Sequence, residues 1–199
     1  MIAIIDYGMG NLGSVEKALA YLGYRSVITD SPREAMTADG MILPGVGAMG
    51  SAMEALTGKG LDKVVREFTE SGRPFLGICL GMQMLFDTSD EGGTVQGLGL
   101  LPGRVLKFAP DMGLKVPAIG WNDLKTVSHP DLTAGDYVYF VHSYYCRPDR
   151  AEDVAATSEY GIEFASAVSR GNILATQFHP EKSGEAGLSI LNRWARRTK

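Results

Sequence analysis

Hydrophobic positions recur with two different periods along the first half of the chain. Met1–Asp6 is an apolar run rich in isoleucine, whereas apolar residues across Asn11–Gly23 return at intervals of three and four. A short β-branched run is typical of a buried strand, and the longer period is that of an amphipathic helix. The same patterns predict further strands at Arg25–Thr29, Gly40–Leu43 and Pro74–Cys79, a helix at Leu61–Ser71, and another helix beginning near Gly81. Strands separated by helices favour parallel pairing.

The second half of the chain has a different texture, because short strand-like runs follow one another with turn residues between them. These runs are residues 100–108, 116–127, 136–146, 154–160, 163–171 and 172–180. Such runs favour antiparallel pairing, and a closing helix is predicted from Gly184 to about Arg197. No repeat or linker divides the chain. We therefore expect one α/β domain over residues 1–199, with a mixed, largely parallel central sheet flanked by helices.

Composition excludes several classes of protein. The 199 residues are 45% hydrophobic, which suffices for a substantial core. With 19 basic and 23 acidic residues the net charge is −4, so we expect no nucleic-acid partner and no attraction to an anionic membrane. The longest apolar stretch, Phe75–Phe86, is too short to span a bilayer, and the first residues lack a basic leader. We therefore expect a cytoplasmic protein.

Cys79 stands in a sequence that favours a reactive side chain. It is the centre of a G-x-C-x-G string, residues 77–81, between a predicted strand and a predicted helix. Small neighbours allow the strained turn that holds a nucleophile above a sheet edge, and a helix N-terminus favours the thiolate. The backbone N–H of Leu80 would then face a developing oxyanion. The alternative is a buried structural cysteine, which is what we expect of Cys146 in the apolar run SYYC.

A second candidate lies at the end of the last predicted strand, in the string F-H-P-E. Proline keeps the residue before it extended, and residues two apart in extended chain point to the same side, so His179 and Glu181 can act together. A carboxylate beside an imidazole stabilises the imidazolium, as a base for a thiol requires. His142 is a rival base with no acidic residue two positions away, and His129 is expected in an exposed loop. The cysteines and histidines do not fall at metal-ligand spacing, so we expect no metal.

The loop after the first strand is a third candidate. Gly8, Gly10 and Gly13 form a G-x-G-x-x-G string, with Asp30 about twenty residues further on. That pattern is typical of dinucleotide binding, but Asp6 would place negative charge near a bound pyrophosphate. Three interpretations remain open for this loop: a nucleotide site, a glycine-shaped turn, or a surface facing a partner or substrate.

These motifs together resemble the class I (triad) glutamine amidotransferases, in which Cys, His and Glu follow in that order. GICLGMQ at residues 77–83 and FHPE at 178–181 carry the resemblance. IIDYGMGNLGSV (4–15), LPGVGAM (43–49), IGWNDL (119–124), FVHSYY (140–145) and FHPEKS (178–183) are most similar to glutaminase subunits of histidine biosynthesis. The resemblance extends from Ile2 to about Ser183, and it implies the flavodoxin-like fold of that family.

The resemblance also implies roles for individual residues. Cys79 would attack the side-chain amide of glutamine through a thioester, with His179 as base and then acid and Glu181 orienting it. Leu80 would offer one oxyanion N–H, and Val46 or Gly47 the other. The amino-acid end of glutamine would be held by Gly47, Gln83, Ser143 and Tyr144. The residues facing a partner would be Asn11, Trp121, Tyr139 and Lys182. That partner would be a cyclase subunit, a (β/α)8 barrel that forms a heterodimer with this chain and uses the ammonia to make imidazole glycerol phosphate and AICAR; no cofactor is expected.

Several alternatives remain at this point. Residue spacing alone leads to cysteine-dependent acyl transfer and does not distinguish a glutaminase from a cysteine peptidase of similar fold. Within the family, the runner-up is a glutaminase subunit for anthranilate, aminodeoxychorismate or pyridoxal phosphate synthesis. A different class altogether is a non-catalytic nucleotide-binding module built on the glycine loop.

Overall fold

The structure, a computed structural model, describes all residues from Met1 to Lys199. The strands are β1 (Ile2–Ile5), β2 (Ser26–Thr29), β3 (Gly40–Gly45), β4 (Phe75–Cys79), β5 (Phe86–Ser89), β6 (Val95–Gln96), β7 (Leu101–Lys107), β8 (Ala118–Asp123), β9 (Tyr137–His142), β10 (Tyr144–Pro148), β11 (Val154–Tyr160), β12 (Ile162–Arg170) and β13 (Ile173–Thr176). The α-helices are α1 (Leu12–Tyr21), α2 (Pro32–Met36), α3 (Met49–Gly58), α4 (Leu61–Glu70), α5 (Leu80–Gln83) and α6 (Gly184–Ala195). Short 3-10 helices cover Ala151–Asp153, Pro180–Lys182 and Arg196–Thr198.

Eleven strands form one mixed sheet. Along the sheet the order is β2-β1-β3-β4-β13-β12-β10-β7-β5-β6, and β11 pairs with β12 outside this path. The first five strands in that order are parallel to their neighbours, and β13, β12, β10 and β7 follow as antiparallel pairs. Strands β8 and β9 form a separate antiparallel pair, called the ribbon below. The expected α/β fold with a mixed sheet is confirmed.

Helices cover both faces of the sheet. Successive residues of a strand point to opposite sides, so Met41 and Ile42 of β3 belong to different cores. One core holds 26 buried residues, including those of α2, α3 and α4, and the other holds 25, including those of α1, α6 and the ribbon. Because both faces are covered in this way, the central parallel strands are continuous apolar runs. None of the helices has the length and apolar content that crossing a membrane requires.

The helices predicted by periodicity form where local signals agree. In α4 the apolar stripe Leu61, Val64, Val65 and Phe68 is buried, and the helix begins after Gly60, whose φ of 68° only glycine adopts readily. Four elements lacked such a pattern and were not predicted: α2, α3, β5 and β6. The first has five residues, and the second is too uniformly small and apolar to show one clear face.

The prediction for the strand-like run at residues 136–146 was wrong. The run at residues 136–146 was expected to be one strand, but it divides at Ser143 into β9 and β10. Strand β9 pairs with β8 in the ribbon, whereas β10 pairs with β7 and β12 in the main sheet. Alternation of apolar residues is the same in both strands, so it does not reveal which sheet a strand joins. The helix expected near Gly81 begins one residue earlier and is the shortest of the six α-helices, because α5 covers only Leu80–Gln83.

The carboxyl ends of three neighbouring parallel strands define a cleft. Strand β3 ends at Gly45, which is the register partner of Cys79 at the end of β4. Strand β13 ends at Thr176, beside β4, and leads directly into residues 177–181. Ligands of open α/β sheets bind beyond the carboxyl ends of the strands, and these are the ends that carry the motifs.

Candidate active site

Cys79 occupies a strained turn between β4 and α5. Its φ of 55° and ψ of −110° make it the only residue other than glycine with a positive φ. A Cβ at Gly81 would lie 1.8 Å from the carbonyl oxygen of Leu43, and one at Gly77 would lie 3.0 Å from the Cβ of Ala175. The two glycines therefore allow the turn to pack tightly against β3 and β13. The result is a cysteine held in one orientation at the edge of the sheet.

His179 and Glu181 form a buried pair. The Nδ1 atom of His179 lies 2.8 Å from Oε1 of Glu181, and both side chains are almost fully buried. The main chain of His179 is fixed by its N–H, which donates to the carbonyl oxygen of Tyr139 at 3.0 Å. The Nε2 atom of His179 has no hydrogen-bond partner in the chain. With Nδ1 occupied by the carboxylate, Nε2 is the atom left to exchange protons.

The electrostatics of His179 depend on its two neighbours. Burial by itself lowers the pKa of an imidazole. The interactions with the charges of Cys79 and Glu181, together with the hydrogen bond to Glu181, outweigh that burial and raise the pKa of His179 to about 9. The imidazolium is thus stabilised where a base must hold a proton taken from a thiol.

A pair of glutamine side chains lies against the cysteine, and one of them was not predicted. Gln83 Nε2 donates to the carbonyl oxygen of Tyr144 at 3.1 Å and to Oε1 of Gln177 at 3.0 Å. Gln177 Nε2 in turn donates to the Cys79 sulfur at 3.7 Å. A usable signal existed for Gln177, because it lies two residues before His179 at the end of the last strand, and side chains two apart along an extended chain point to the same side.

A cavity of about 300 Å³ opens directly over the cysteine. Its lining includes eight of the residues singled out from sequence: Val46, Gly47, Cys79, Leu80, Gln83, Ser143, Tyr144 and His179. Glu181 lies behind His179 and does not line it. The lining also contains Glu91, Pro117, Val141 and His142, of which only His142 had been considered, as a rival base. This volume is at the small end of ligand pockets, and it suits a single small metabolite.

Glu91 brings a carboxylate to the cavity from the loop after β5. Its Oε2 accepts a hydrogen bond of 2.7 Å from the N–H of Met49, and its own N–H donates to Ser89. Nothing in the polar string around it, SDEGG, sets this residue apart from an ordinary surface loop. Only the fold brings it within reach of Cys79.

The rival histidine is in a different electrostatic state from His179. His142 is buried among aromatic rings, with Phe108 and Phe164 at centroid distances of 5.3 Å. Its Nδ1 lies 2.8 Å from the carbonyl oxygen of Tyr144, and since a carbonyl only accepts, Nδ1 carries the hydrogen. Burial is the main reason that its pKa falls to about 4. His142 therefore remains neutral at pH 7 and is a weaker base than His179.

The remaining cysteine and histidine, Cys146 and His129, do not line the cavity. Cys146 is buried in β10, where burial raises the pKa of its thiol. His129 is half-buried rather than exposed as expected, because its Nδ1 accepts from the N–H of Asp131 and its Nε2 lies 3.3 Å from Arg197. No three His, Cys, Asp or Glu side chains lie together in a way that could hold a metal ion.

The glycine loop is held by a hydrogen bond between its own residues and by packing against the loop after β3. The Asp6 carboxylate accepts from the N–H of Gly8 at 2.9 Å, so that amide is already occupied. Asp30 is paired with Lys59 at 3.2 Å. A Cβ at Gly47 would meet the side chain of Met9 at 2.8 Å, so this loop packs against the loop after β3. The arrangement favours a glycine-shaped turn packed against the loop after β3 over a phosphate cradle.

The four residues predicted to face a partner lie around the turn that carries Glu181. Trp121 and Tyr139 are register partners in the ribbon, with their rings 6.2 Å apart. The N–H of Tyr139 donates to Oγ of Ser183 at 2.9 Å, which ties the ribbon to the exposed Lys182. Asn11 precedes α1, which packs against the same turn. These residues therefore gather on one side of the molecule.

The ribbon also carries three of the seven large apolar side chains that the chain exposes. Ile119, Trp121 and Tyr137 are 62%, 56% and 62% exposed. Ile119 and Trp121 alternate along β8, and Tyr137 lies opposite this row in β9. Contiguous exposed apolar surface of this kind marks protein–protein contact sites.

Comparison with known proteins shows which family the chain belongs to. Residues 3–197 match the family described as glutamine amidotransferase class-I. The imidazole glycerol phosphate synthase subunit HisH of Syntrophotalea carbinolica is 50% identical over 204 residues, with 98% of each chain covered. The subunit of the same name from Moorella thermoacetica is 52% identical over 197 residues, covering 97% of this chain and 93% of the relative.

Solved structures share the fold at lower identity. A crystal structure of a glutamine amidotransferase is similar with a TM-score of 0.78 and 19% identity, covering 100% of this chain and 99% of that one. The structure of PurLQS from Thermotoga maritima gives a TM-score of 0.73 at 16% identity, covering 100% and 98%. The architecture is thus found among proteins of very different sequence.

Proposed function

Because the chain belongs to the class-I glutamine amidotransferase family, we propose that it hydrolyses glutamine as the glutaminase subunit of an imidazole glycerol phosphate synthase. The ammonia passes to the cyclase subunit, which makes imidazole glycerol phosphate and AICAR in histidine biosynthesis. One observation carries the chemical part: Cys79 sits on a strained turn under a small cavity, beside the His179–Glu181 pair. Relatives about 50% identical over nearly their whole length support the choice of synthase.

Acylation begins with proton transfer from the Cys79 thiol to Nε2 of His179. The thiolate attacks the side-chain carbonyl carbon of glutamine, and the carbonyl oxygen becomes an oxyanion. His179, now an imidazolium held by Glu181, returns the proton to the amide nitrogen, so ammonia leaves and a thioester remains. Because Nδ1 carries a hydrogen and donates it to Oε1 of Glu181, Nε2 is the atom that accepts the proton and returns it.

The oxyanion needs two donors. The N–H of Leu80 is fixed by the turn after Cys79, and the second donor is the N–H of Val46 or Gly47, which line the same cavity. Gly47 has a φ of 92°, so this loop adopts a conformation that only glycine reaches at low cost. Removing one such donor from an oxyanion hole costs roughly a hundred- to a thousandfold in rate.

Deacylation reuses the same residues. Water takes the place vacated by ammonia, gives a proton to His179, and attacks the thioester carbon. The tetrahedral intermediate collapses to glutamate, and the sulfur recovers its proton from His179. Each step needs a base and then an acid at one position, which a histidine in a fixed tautomer provides.

The amino-acid end of glutamine is recognised by the wall opposite the nucleophile. Gly47, Ser143 and Tyr144 offer backbone groups, and Gln83 keeps its Oε1 free of hydrogen bonds within the chain. We add Glu91 to this set, because its carboxylate suits the α-ammonium group of the substrate. A peptide bond in place of that ammonium would leave the negative charge of Glu91 without a positive partner, which favours a free amino acid over a cysteine-peptidase substrate.

The partner surface consists of the exposed ribbon with Asn11, Trp121, Tyr139 and Lys182. Its apolar side chains support a protein partner, and its position beside the Glu181 turn brings that partner close to the site where ammonia forms. We propose a heterodimer with a (β/α)8-barrel cyclase. Both cysteines are free thiols, which suits a reducing cytoplasm.

The deciding experiment is Cys79→Ala, with Cys146→Ala as its matched control. We expect Cys79→Ala to abolish glutamine hydrolysis, because no other thiol lines the cavity. The complex of that variant with the cyclase subunit should still make product from added ammonium, because the cyclase site lies in the partner. Cys146→Ala should retain glutaminase activity. Glutamate release and product formation are measured in parallel.

Two outcomes would overturn the proposal. Glutaminase activity retained by pure Cys79→Ala would remove Cys79 as nucleophile. The second outcome concerns the wild-type chain. If it hydrolyses glutamine but supplies ammonia to an anthranilate synthase component better than to the imidazole glycerol phosphate cyclase, it belongs to another synthase.

A further inference from the structure

Gln177 is the polar residue closest to the nucleophile that the mechanism above does not use. Its side chain follows β13, is fully buried beside the strained turn that carries Cys79, called the elbow below, and does not line the cavity. It therefore reaches the reaction only through the groups that it touches. Those groups are the sulfur of Cys79 and the amide of Gln83.

The orientation of the Gln177 amide follows from its neighbours. The atom of Gln83 that faces the Tyr144 carbonyl must be a donor, so it is Nε2. The same Nε2 lies 3.0 Å from Gln177, so the Gln177 atom facing it must be the acceptor Oε1. Nε2 of Gln177 is then the atom 3.7 Å from the sulfur. The Tyr144 carbonyl thus dictates, through two amides, that the cysteine receives a donor.

A hydrogen-bond donor at this position can stabilise the thiolate, because the elbow lacks the positive potential that a longer helix would supply at its N-terminus. Helix α5 has only four residues, so its dipole is small. Burial of the thiol region opposes charge, whereas a hydrogen bond to the charged form favours it. A directed N–H beside the sulfur compensates for the short helix.

We propose that Gln177 stabilises the Cys79 thiolate by donating to its sulfur and is held in place for this by Gln83. The inference rests on the proposed glutaminase function. It also couples the two ends of the site, since the residue that holds the amino-acid end of glutamine orients the residue that acts on the nucleophile.

The test uses Gln177→Glu, which keeps an oxygen for Gln83 but replaces the donor facing the sulfur with a second oxygen. Gln177→Met is the second variant, similar in length and uncharged, in case the buried carboxylate prevents folding. Gln96→Glu makes the same chemical change on the exposed strand β6 and is the control. Circular dichroism confirms that each variant is folded.

The first readout is alkylation of Cys79 by iodoacetamide in the free chain, followed by mass spectrometry and without glutamine or partner. We expect the rate at neutral pH to fall about tenfold in Gln177→Glu and Gln177→Met, because a hydrogen bond to a charged group is lost. The pH profile of alkylation should move to higher pH. Gln96→Glu should leave both unchanged.

The second readout is glutamine hydrolysis by the complex with the cyclase subunit. We expect kcat to fall by about the same factor as alkylation. A rise in KM alone, with an unchanged alkylation rate and profile, would show that Gln177 only supports Gln83 and would overturn the proposal. Failure of the function itself is seen separately, as glutaminase activity that survives Cys79→Ala.

Discussion

Cys79 stores backbone strain at the position where the chemistry occurs. A residue with a side chain in a sparsely populated region of φ and ψ costs about 1–3 kcal/mol, and at φ 55° and ψ −110° Cys79 is such a residue. The strain is tolerated because β4 on one side and the packed Gly81 on the other determine the path of the chain.

The strain can be measured by comparing two variants at this position. Cys79→Ala and Cys79→Gly both lose the sulfur, but only glycine relaxes the turn. We expect Cys79→Gly to be about 1 kcal/mol more stable than Cys79→Ala in urea unfolding of the free chain. The same pair at Cys146, in regular β10, should show the opposite order, with glycine less stable by about 0.5–1 kcal/mol. If the alanine variant is more stable than the glycine variant at both Cys79 and Cys146, the elbow is not strained.

His142 makes the stability of the chain depend on pH. Its pKa is about 4 in the folded chain and 6.5 in an unpaired imidazole. Between those values the unfolded chain binds a proton that the folded chain does not, so the free energy of unfolding falls as pH falls from 6.5 to 4. The difference amounts to about 3 kcal/mol.

The matched variant is His142→Asn, whose amide can still donate to the Tyr144 carbonyl but does not titrate. Over the same pH window its free energy of unfolding should lose less than that of the wild type. Urea unfolding at a series of pH values measures this. Identical pH dependence in the two proteins would mean that His142 takes up its proton at the same pH in the folded and unfolded chains.

At the scale of elements, the elbow depends on how closely α5 approaches β3. Gly81→Ala places a methyl group 1.8 Å from the Leu43 carbonyl, a backbone atom that has no room to move. We expect a loss of at least about 2 kcal/mol in the free energy of unfolding. Gly13→Ala is the control, because Gly13 lies in α1 with nothing within 4 Å of an added Cβ. That change should stabilise the chain by about 0.5 kcal/mol.

Thermal and urea unfolding of the free chain give both values. A Gly81→Ala variant as stable as Gly13→Ala would show that the close approach at the elbow relaxes without cost. Activity is a second measure, since displacement of α5 also moves the Leu80 N–H and Gln83.

At the scale of the whole molecule, the ribbon is the feature best placed to bind another protein. We expect Trp121→Ala to weaken the complex with the cyclase subunit at least tenfold, because large aromatic residues dominate binding energy. Since Trp121 is 56% exposed, the free energy of unfolding of the free chain should change by less than about 1 kcal/mol.

Lys63→Ala is the control for this prediction. Lys63 is exposed on α4, which covers the face of the sheet opposite the ribbon. Titration of the cyclase subunit by calorimetry gives both affinities. Equal weakening by the two substitutions would place the interface elsewhere.

Local pattern was sufficient for much of this protein. The periods of apolar residues located the parallel strands and α1, α4 and α6, and the glycines around Cys79 identified the elbow. The pairing of His179 with Glu181 was predicted from extended backbone, but only His179 is extended, and Glu181 reaches the ring from the 3-10 helix Pro180–Lys182. These features depend on residues within a few positions of one another, where backbone geometry alone restricts the outcome.

Only the tertiary structure decided which distant residues meet. It placed β9 and β10 in different sheets, because pairing depends on partners such as β8 and β7 that alternation does not reveal. It brought Gln177 to a sulfur 98 residues away, and it brought Glu91 into the cavity. It also separated the two histidines into a carboxylate-paired base and a neutral ring among aromatics. Sequence supplies the chemical groups, whereas strand order and burial determine their neighbours and therefore their charge.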